Sequence, residues 1–236
     1  MTGVQTCALP LRYPFVLPLL AVPSAVAIAL WLRNPEPHHR GGFVAYHRNV
    51  AAGVRPRAVA AVYFVGFAGF IMLYGAMLTF LPFLLEQRFA ANSAGIGLVF
   101  GASAIASAGG AMFLGRLARR IRAKVILLAA VAAMAVGLVS IPSGAAIWMV
   151  TLSAALFGAG HGMGISMAMV VLANATTNET RGAVMALNGM MFRLAQTMGP
   201  LAMAVVLAAG GLDWVYWGGA AFGMLALAVL AAALRR

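Results

Sequence analysis

Gly115-Arg116-Leu117-Ala118-Arg119-Arg120-Ile121-Arg122-Ala123-Lys124 is the stretch whose reading decides the fold. Its ten residues hold five basic side chains and no acidic one. Long apolar runs at 94–114 and 125–142 flank it. A connection this short between two runs of membrane length is a tight turn at one face of a bilayer. Lys and Arg are retained on the cytoplasmic side, so the charge places this turn inside. Every other crossing then follows by alternation.

Composition agrees. Of the 236 residues, 64% are hydrophobic and 8% charged, against about 25% charged in a soluble domain. A water-soluble body of this size would have too little polar surface to cover itself, so the chain reads as a polytopic membrane protein. The net charge of +12 does not indicate nucleic acid. Tracking phosphates takes a solvated basic face, and here the basic residues cluster between apolar runs. One cysteine, Cys7, allows no intramolecular disulfide. No Cys/His spacing fits a metal, and His38-His39 beside Glu36 reads as a solvated loop pair.

Taken in order, residues 1–10 carry no charge and no helical pattern, and read as a non-native or scar segment. Residues 11–33 form an apolar run with Pro14, Pro18 and Pro23, ending at Trp31 and Arg33 like a membrane helix at its interface. Residues 34–58 are a polar linker. Six further helices are expected at about 59–85, 94–114, 125–142, 146–173, 183–208 and 214–234. Each reaches or approaches the ~20 residues that span a bilayer, and their short connections make neighbours antiparallel. With the basic turn inside, fourteen of the sixteen basic residues, Arg193 included, fall on the inner side, against Arg12 and Arg88 outside. The expected architecture is all-α: seven transmembrane helices, N-terminus out and C-terminus cytoplasmic, in the cell's inner (plasma) membrane.

Polar residues are unevenly shared. Runs 125–142 and 214–234 are almost wholly apolar, and are expected to face lipid. The other four of the last six carry Tyr74 and Thr79; Ser103 and Ser107; Thr151, Ser153, His161 and Ser166; Asn188, Arg193, Gln196 and Thr197. The pattern describes two repeats of three helices. Gly97 and Gly101, and likewise Gly160 and Gly164, form small surfaces four residues apart that let helices approach closely.

Two motifs and the turn carry a resemblance. Glu179-Thr180-Arg181-Gly182 and Arg193-Leu194-Ala195-Gln196-Thr197-Met198-Gly199-Pro200 resemble the loop before the eleventh helix, and the eleventh helix itself, of major facilitator superfamily transporters. The basic turn is similar to the family's cytoplasmic gating loop at Gly115, Leu117, Arg120 and Lys124. It departs at Arg119, where the family has an aspartate, and at Arg122, where it has a glycine. The resemblance covers about 220 residues. It implies that 59–236 is the six-helix C-terminal half, 34–58 the linker between halves, and 11–33 the last helix of an N-terminal half whose other helices are missing. It implies secondary transport of a small molecule by alternating access, with substrate between the halves and proton-coupled efflux as a fitting role. No cofactor is expected beyond a coupling proton. The partners are the lipid bilayer, the substrate and the missing half.

His161 lies mid-helix, where an ionisable group is expensive and a functional candidate; it is a proton or substrate site, or a neutral imidazole bonded to a neighbouring helix. Ser153, Phe157 and His161 share a face. Arg193 either satisfies a helix end or attracts an anion. Asn188, Phe192 and Gln196 share another face, for substrate or for helix contact. Phe67, Phe70, Tyr74 and Met77 form a stripe at helical spacing, a cavity wall or packing. Two other classes stand beside transport. A seven-helix receptor or scaffold would hold its pocket within these helices alone. An intramembrane hydrolase would need a nucleophile and base in register, whereas Ser166 and His161, five apart, point in different directions.

Overall fold

The computed structural model describes residues 21–31 and 57–233, in two units, residues 1–40 and 41–236. The first ten residues, the 34–56 part of the linker and Arg235 and Arg236 lie outside the described residues. In the first unit, α1 is Ala21–Trp31, inside the run expected at 11–33.

The second unit is a bundle of six helices, each long and apolar enough to cross a membrane. Among the described residues there is no strand. α2 runs without a break through Arg57–Phe70, a π-helical stretch Ile71–Leu78, and Thr79–Phe89. α3 is Ser93–Leu117, α4 Ala123–Ser140, α5 Ile147–Asn174, α6 Asn178–Gly210 and α7 Leu212–Ala233.

The basic turn closes as its sequence dictates. The Ala118 N–H bonds to Leu114 O at 2.8 Å and the Ile121 N–H to Leu117 O at 2.9 Å. Arg122 is extended and starts α4. The guanidinium of Arg116 lies 5.9 Å from the Phe113 ring centroid, so it rests on the last turn of α3. At the other end of the bundle, α2 stops on Ala90 in a left-handed conformation, its N–H on Glu86 O at 3.0 Å and the Ala91 N–H on Leu85 O at 3.2 Å, a left-handed cap that satisfies the last carbonyls. Asn92 caps α3, accepting from the Gly95 N–H at 2.9 Å. Arg88 there joins three elements. It donates to Asp213 at the start of α7 and, at 2.6 Å, to Pro142 O in the α4–α5 turn.

Packing follows a two-repeat rule. α3 lies on α5 as α2 lies on α6, α4 lies on α5 as α7 lies on α2, and α4 meets α7. Exchanging α2, α3 and α4 for α5, α6 and α7 reproduces these pairs. Glycine sets the closest approaches. A Cβ on Gly158 or Gly162 of α5 would collide with the backbone carbonyls of Ser103 and Ser107. A Cβ on Gly75 would lie 2.8 Å from Gly199 O, so α2 and α6 touch backbone to backbone there. Two buried clusters fill the bundle. Leu81, Leu85, Leu138, Phe157 and Tyr216 belong to the one towards Arg88. Val62, Tyr63, Leu127, Leu172 and Leu230 belong to the one towards the basic turn.

α4 and α7, expected to face lipid, also pack on one another, with Gly219 against Leu138 and Gly223 against Ala135, while Val136, Val139, Met224 and Leu225 stay exposed. The most apolar windows of α4 and α7 are 44% and 39% buried, whereas those of α3 and α6 are 6% and 17%. Uniform apolarity serves lipid contact and helix contact equally, so it does not separate them. One expectation is corrected: α6 starts at Asn178 rather than 183. Hydropathy marks the membrane crossing, while the helix continues through polar Asn178–Arg181. Arg193 stands at the middle of the helix.

Candidate functional site

α2, α5 and α6 meet at mid-height in an aromatic cluster. Phe70 stacks on Phe192 of α6 with centroids 4.1 Å apart and planes 12° apart. It also stacks on Tyr74 at 5.8 Å and lies 5.7 Å from the His161 ring. Phe157, one turn before His161, is parallel to the imidazole at 6.2 Å. Gly66 makes this possible, since a Cβ there would sit 2.7 Å from Phe192 Cε1. Gly66 was not among the residues singled out from sequence, because its role depends on a ring from a helix more than a hundred residues on.

Beside the cluster is a cavity of about 20 Å³, lined by Gly66, Gly69, Phe70, Met134, His161 and Ile165, among others. About one water fits such a volume. His161 Nε2 is buried and has no hydrogen-bond partner among the described residues. An orphaned buried polar atom costs about 1–3 kcal/mol, and such an atom in a folded protein asks for a role.

The π-helical stretch governs what α2 presents. A π turn takes more residues than an α turn, so the expected stripe divides inside it. Phe70 and Tyr74 are half-buried in the cluster, while Met77 is fully buried in the core. The Thr79 hydroxyl donates to Tyr74 O at 2.6 Å, satisfying a carbonyl of the widened turn. Pro82, one turn on, removes a further backbone donor.

The remaining sequence candidates fall in different places. Asn188 is 2% exposed, its amide aimed at Met169 Sδ at 3.8 Å, between α6 and α5. Near it the Tyr63 hydroxyl donates to Val184 O at 3.0 Å, tying α2 to α6. Arg193 is exposed and donates to Gln196 Oε1 at 3.0 Å, and the Thr197 hydroxyl donates to Arg193 O at 3.2 Å. Arg193 follows Phe192 directly and so stands level with the aromatic cluster. Thr151 and Ser153 return their hydroxyls to their own helix, at Ile147 O and Met149 O. Ser153 and Phe157 also press on Gly137 of α4, so of the three residues on that face only His161 borders the cavity. Gly115, Arg120 and the half-buried Leu117 lie in or beside the basic turn, with Lys124 at the start of α4.

The arrangement brings three aromatic rings and one imidazole together beside a space for about one water. Among the described residues no group of His, Cys, Asp and Glu could hold a metal. Residues 64–236 match the family model described as Major Facilitator Superfamily. No curated protein matches the chain.

Proposed function

The chain belongs to the major facilitator superfamily, and from that premise we propose that this membrane transporter moves a small molecule by alternating access. The observation that carries the reading is Arg193. It is exposed at the middle of α6 among Met190, Leu194, Met198 and Leu201, which are exposed too. A guanidinium at that depth faces protein or a water-filled cavity, not lipid. The outer faces of α3 and α6 are accordingly the wall of a pathway, completed by an N-terminal half of the same transporter. Helix α1 is assigned as the last helix of that half.

In this reading the substrate rests on Phe70, Tyr74 and Phe192. Arg193 and Gln196 supply polar contacts from the pathway wall, and Asn188 holds α6 in position behind them. His161 carries the coupling proton, and export is the direction that suits an aromatic pocket. The basic turn, with Gly115, Leu117, Arg120 and Lys124, is the cytoplasmic gate. The protein sits in the inner (plasma) membrane with its C-terminus in the cytoplasm.

The test is transport by the two-half protein in vesicles. Arg193→Gln is expected to lower transport by about tenfold or more, the worth of a charge-assisted contact, at unchanged thermal stability, with Arg193→Lys intermediate. Wild-type rates in both variants would sink the pathway assignment. His161→Gln is expected to abolish accumulation driven by a pH gradient while leaving exchange without a gradient. Retained pH-driven accumulation would remove His161 from the coupling step.

A further inference from the structure

At the end of the bundle opposite the basic turn, a cavity of about 330 Å³ is lined by Gln87, Arg88, Gly210, Leu212, Asp213, Trp214 and Trp217. It lies some 20 residues along the helices from the aromatic cluster and shares no residue with it. We propose that it binds the headgroup of a zwitterionic phospholipid bearing a primary ammonium, a phosphoethanolamine lipid.

The argument begins with the ion pair. Arg88 uses one N–H on Asp213 Oδ1 and one on Pro142 O. A guanidinium has five N–H groups and a carboxylate two oxygens, so donors of one and an acceptor of the other remain side by side. A lone anion would meet the Asp213 carboxylate, and a lone cation would meet Arg88. A ligand carrying both signs a few bonds apart matches both. Its phosphodiester oxygens accept from Arg88, and its ammonium donates to Asp213 and to the Gln87 amide oxygen. The pair is about one-third exposed on each side, and exposed pairs are weak enough to exchange partners.

The indoles supply the second half of the argument. Trp214 and Trp217 are 55% and 46% exposed and stand tilted, with centroids 6.0 Å apart. Trp214 lies over Gly210, in space that a Cβ would occupy, so the ring is seated at the cavity wall. Tryptophans at the end of an apolar span lie at headgroup depth, and their faces attract an ammonium group. The site thus has a carboxylate and two rings for the cation, a guanidinium for the anion, and a level in the membrane where the acyl chains run down the span. A quaternary ammonium lacks the N–H donors, and a glycerol headgroup lacks the cation.

The test uses the full chain in nanodiscs of equal phosphoethanolamine, phosphocholine and phosphoglycerol lipid, with bound lipid counted by native mass spectrometry after delipidation. The expected result is retention of the phosphoethanolamine lipid about tenfold over each of the others, the worth of one charge-assisted hydrogen bond. Asp213→Asn should bring the ratio near one, and Trp217→Leu, which leaves the Arg88 pair in place, should lower retention of both ammonium lipids. Arg120→Gln, at the opposite end, should leave the ratio unchanged. Thermal unfolding confirms that each variant is folded. Equal retention of the three lipids overturns the proposal. So does a preference that survives Asp213→Asn, retention of the ammonium lipids that Trp217→Leu leaves unchanged, or a preference lost in Arg120→Gln. Free phosphoethanolamine competing as well as the lipid would overturn the lipid assignment. None of these outcomes depends on transport.

Discussion

Glycines 158 and 162 of α5 and glycines 97 and 101 of α3 look alike in sequence, small residues four apart in an apolar run, yet the structure uses them oppositely. The α5 pair is where the α3 backbone touches, and no side chain fits between. At the α3 pair a Cβ would meet nothing, and the same holds at Gly109, Gly115, Gly182 and Gly189. A small-residue surface therefore records that a helix comes close, but not which one or whether it belongs to the same bundle. The occupied surfaces hold these six helices together. The vacant ones lie on α3 and α6, the two least buried of these six helices, where the proposed second half would pack.

The same change at the two surfaces should have opposite signs. The largest effect is expected for Gly162→Ala, at about 1–3 kcal/mol of destabilisation, the range for overpacking, seen as a fall in the detergent unfolding midpoint. Ser107→Ala should not rescue it, because the obstructing atom is a backbone carbonyl. A rescue would mean that the helices slide freely. Next comes Gly66→Ala, whose obstacle is the rim of the Phe192 ring. A loss of about 1 kcal/mol is expected, and Phe192→Leu should recover it, since a side chain moves where a backbone does not. Gly101→Ala should instead stabilise the chain by up to about 1 kcal/mol through helix propensity, while slowing transport in the two-half protein. A destabilised isolated chain would show that the face is already occupied. The smallest effect belongs to Arg88→Gln. Its pair is partly exposed, so a loss under about 1 kcal/mol is expected, fading in high salt.

Much of this was legible in the sequence. The six spans, their order, the basic turn and the repeat of three could be read because hydropathy and charge are properties of a stretch alone. What could not be read depends on a partner. The burial of α4 and α7 depends on their meeting each other. The sorting of glycines depends on which backbone lies opposite. The division of Tyr74 from Met77 depends on a widened turn that no propensity marks. His161 could be singled out because an ionisable residue among apolar ones is conspicuous by itself. Gly66, which seats the Phe192 ring beside it, is one glycine among 27 and had no such mark.

One joint between helices has a mechanical meaning. α6 and α7 are separated by Gly211 alone, held at φ 84° with its N–H on Leu207 O at 2.8 Å. A link of one residue has two dihedral angles and no slack. A tilt of α6 larger than those two angles absorb must be passed on to α7, and through α7 to α4, on which it packs. The helix that carries Arg193 is thus geared to the back of the bundle. A longer, looser linker at residue 211 would act as a slipping clutch, leaving each helix in place and uncoupling the stroke of one from the other.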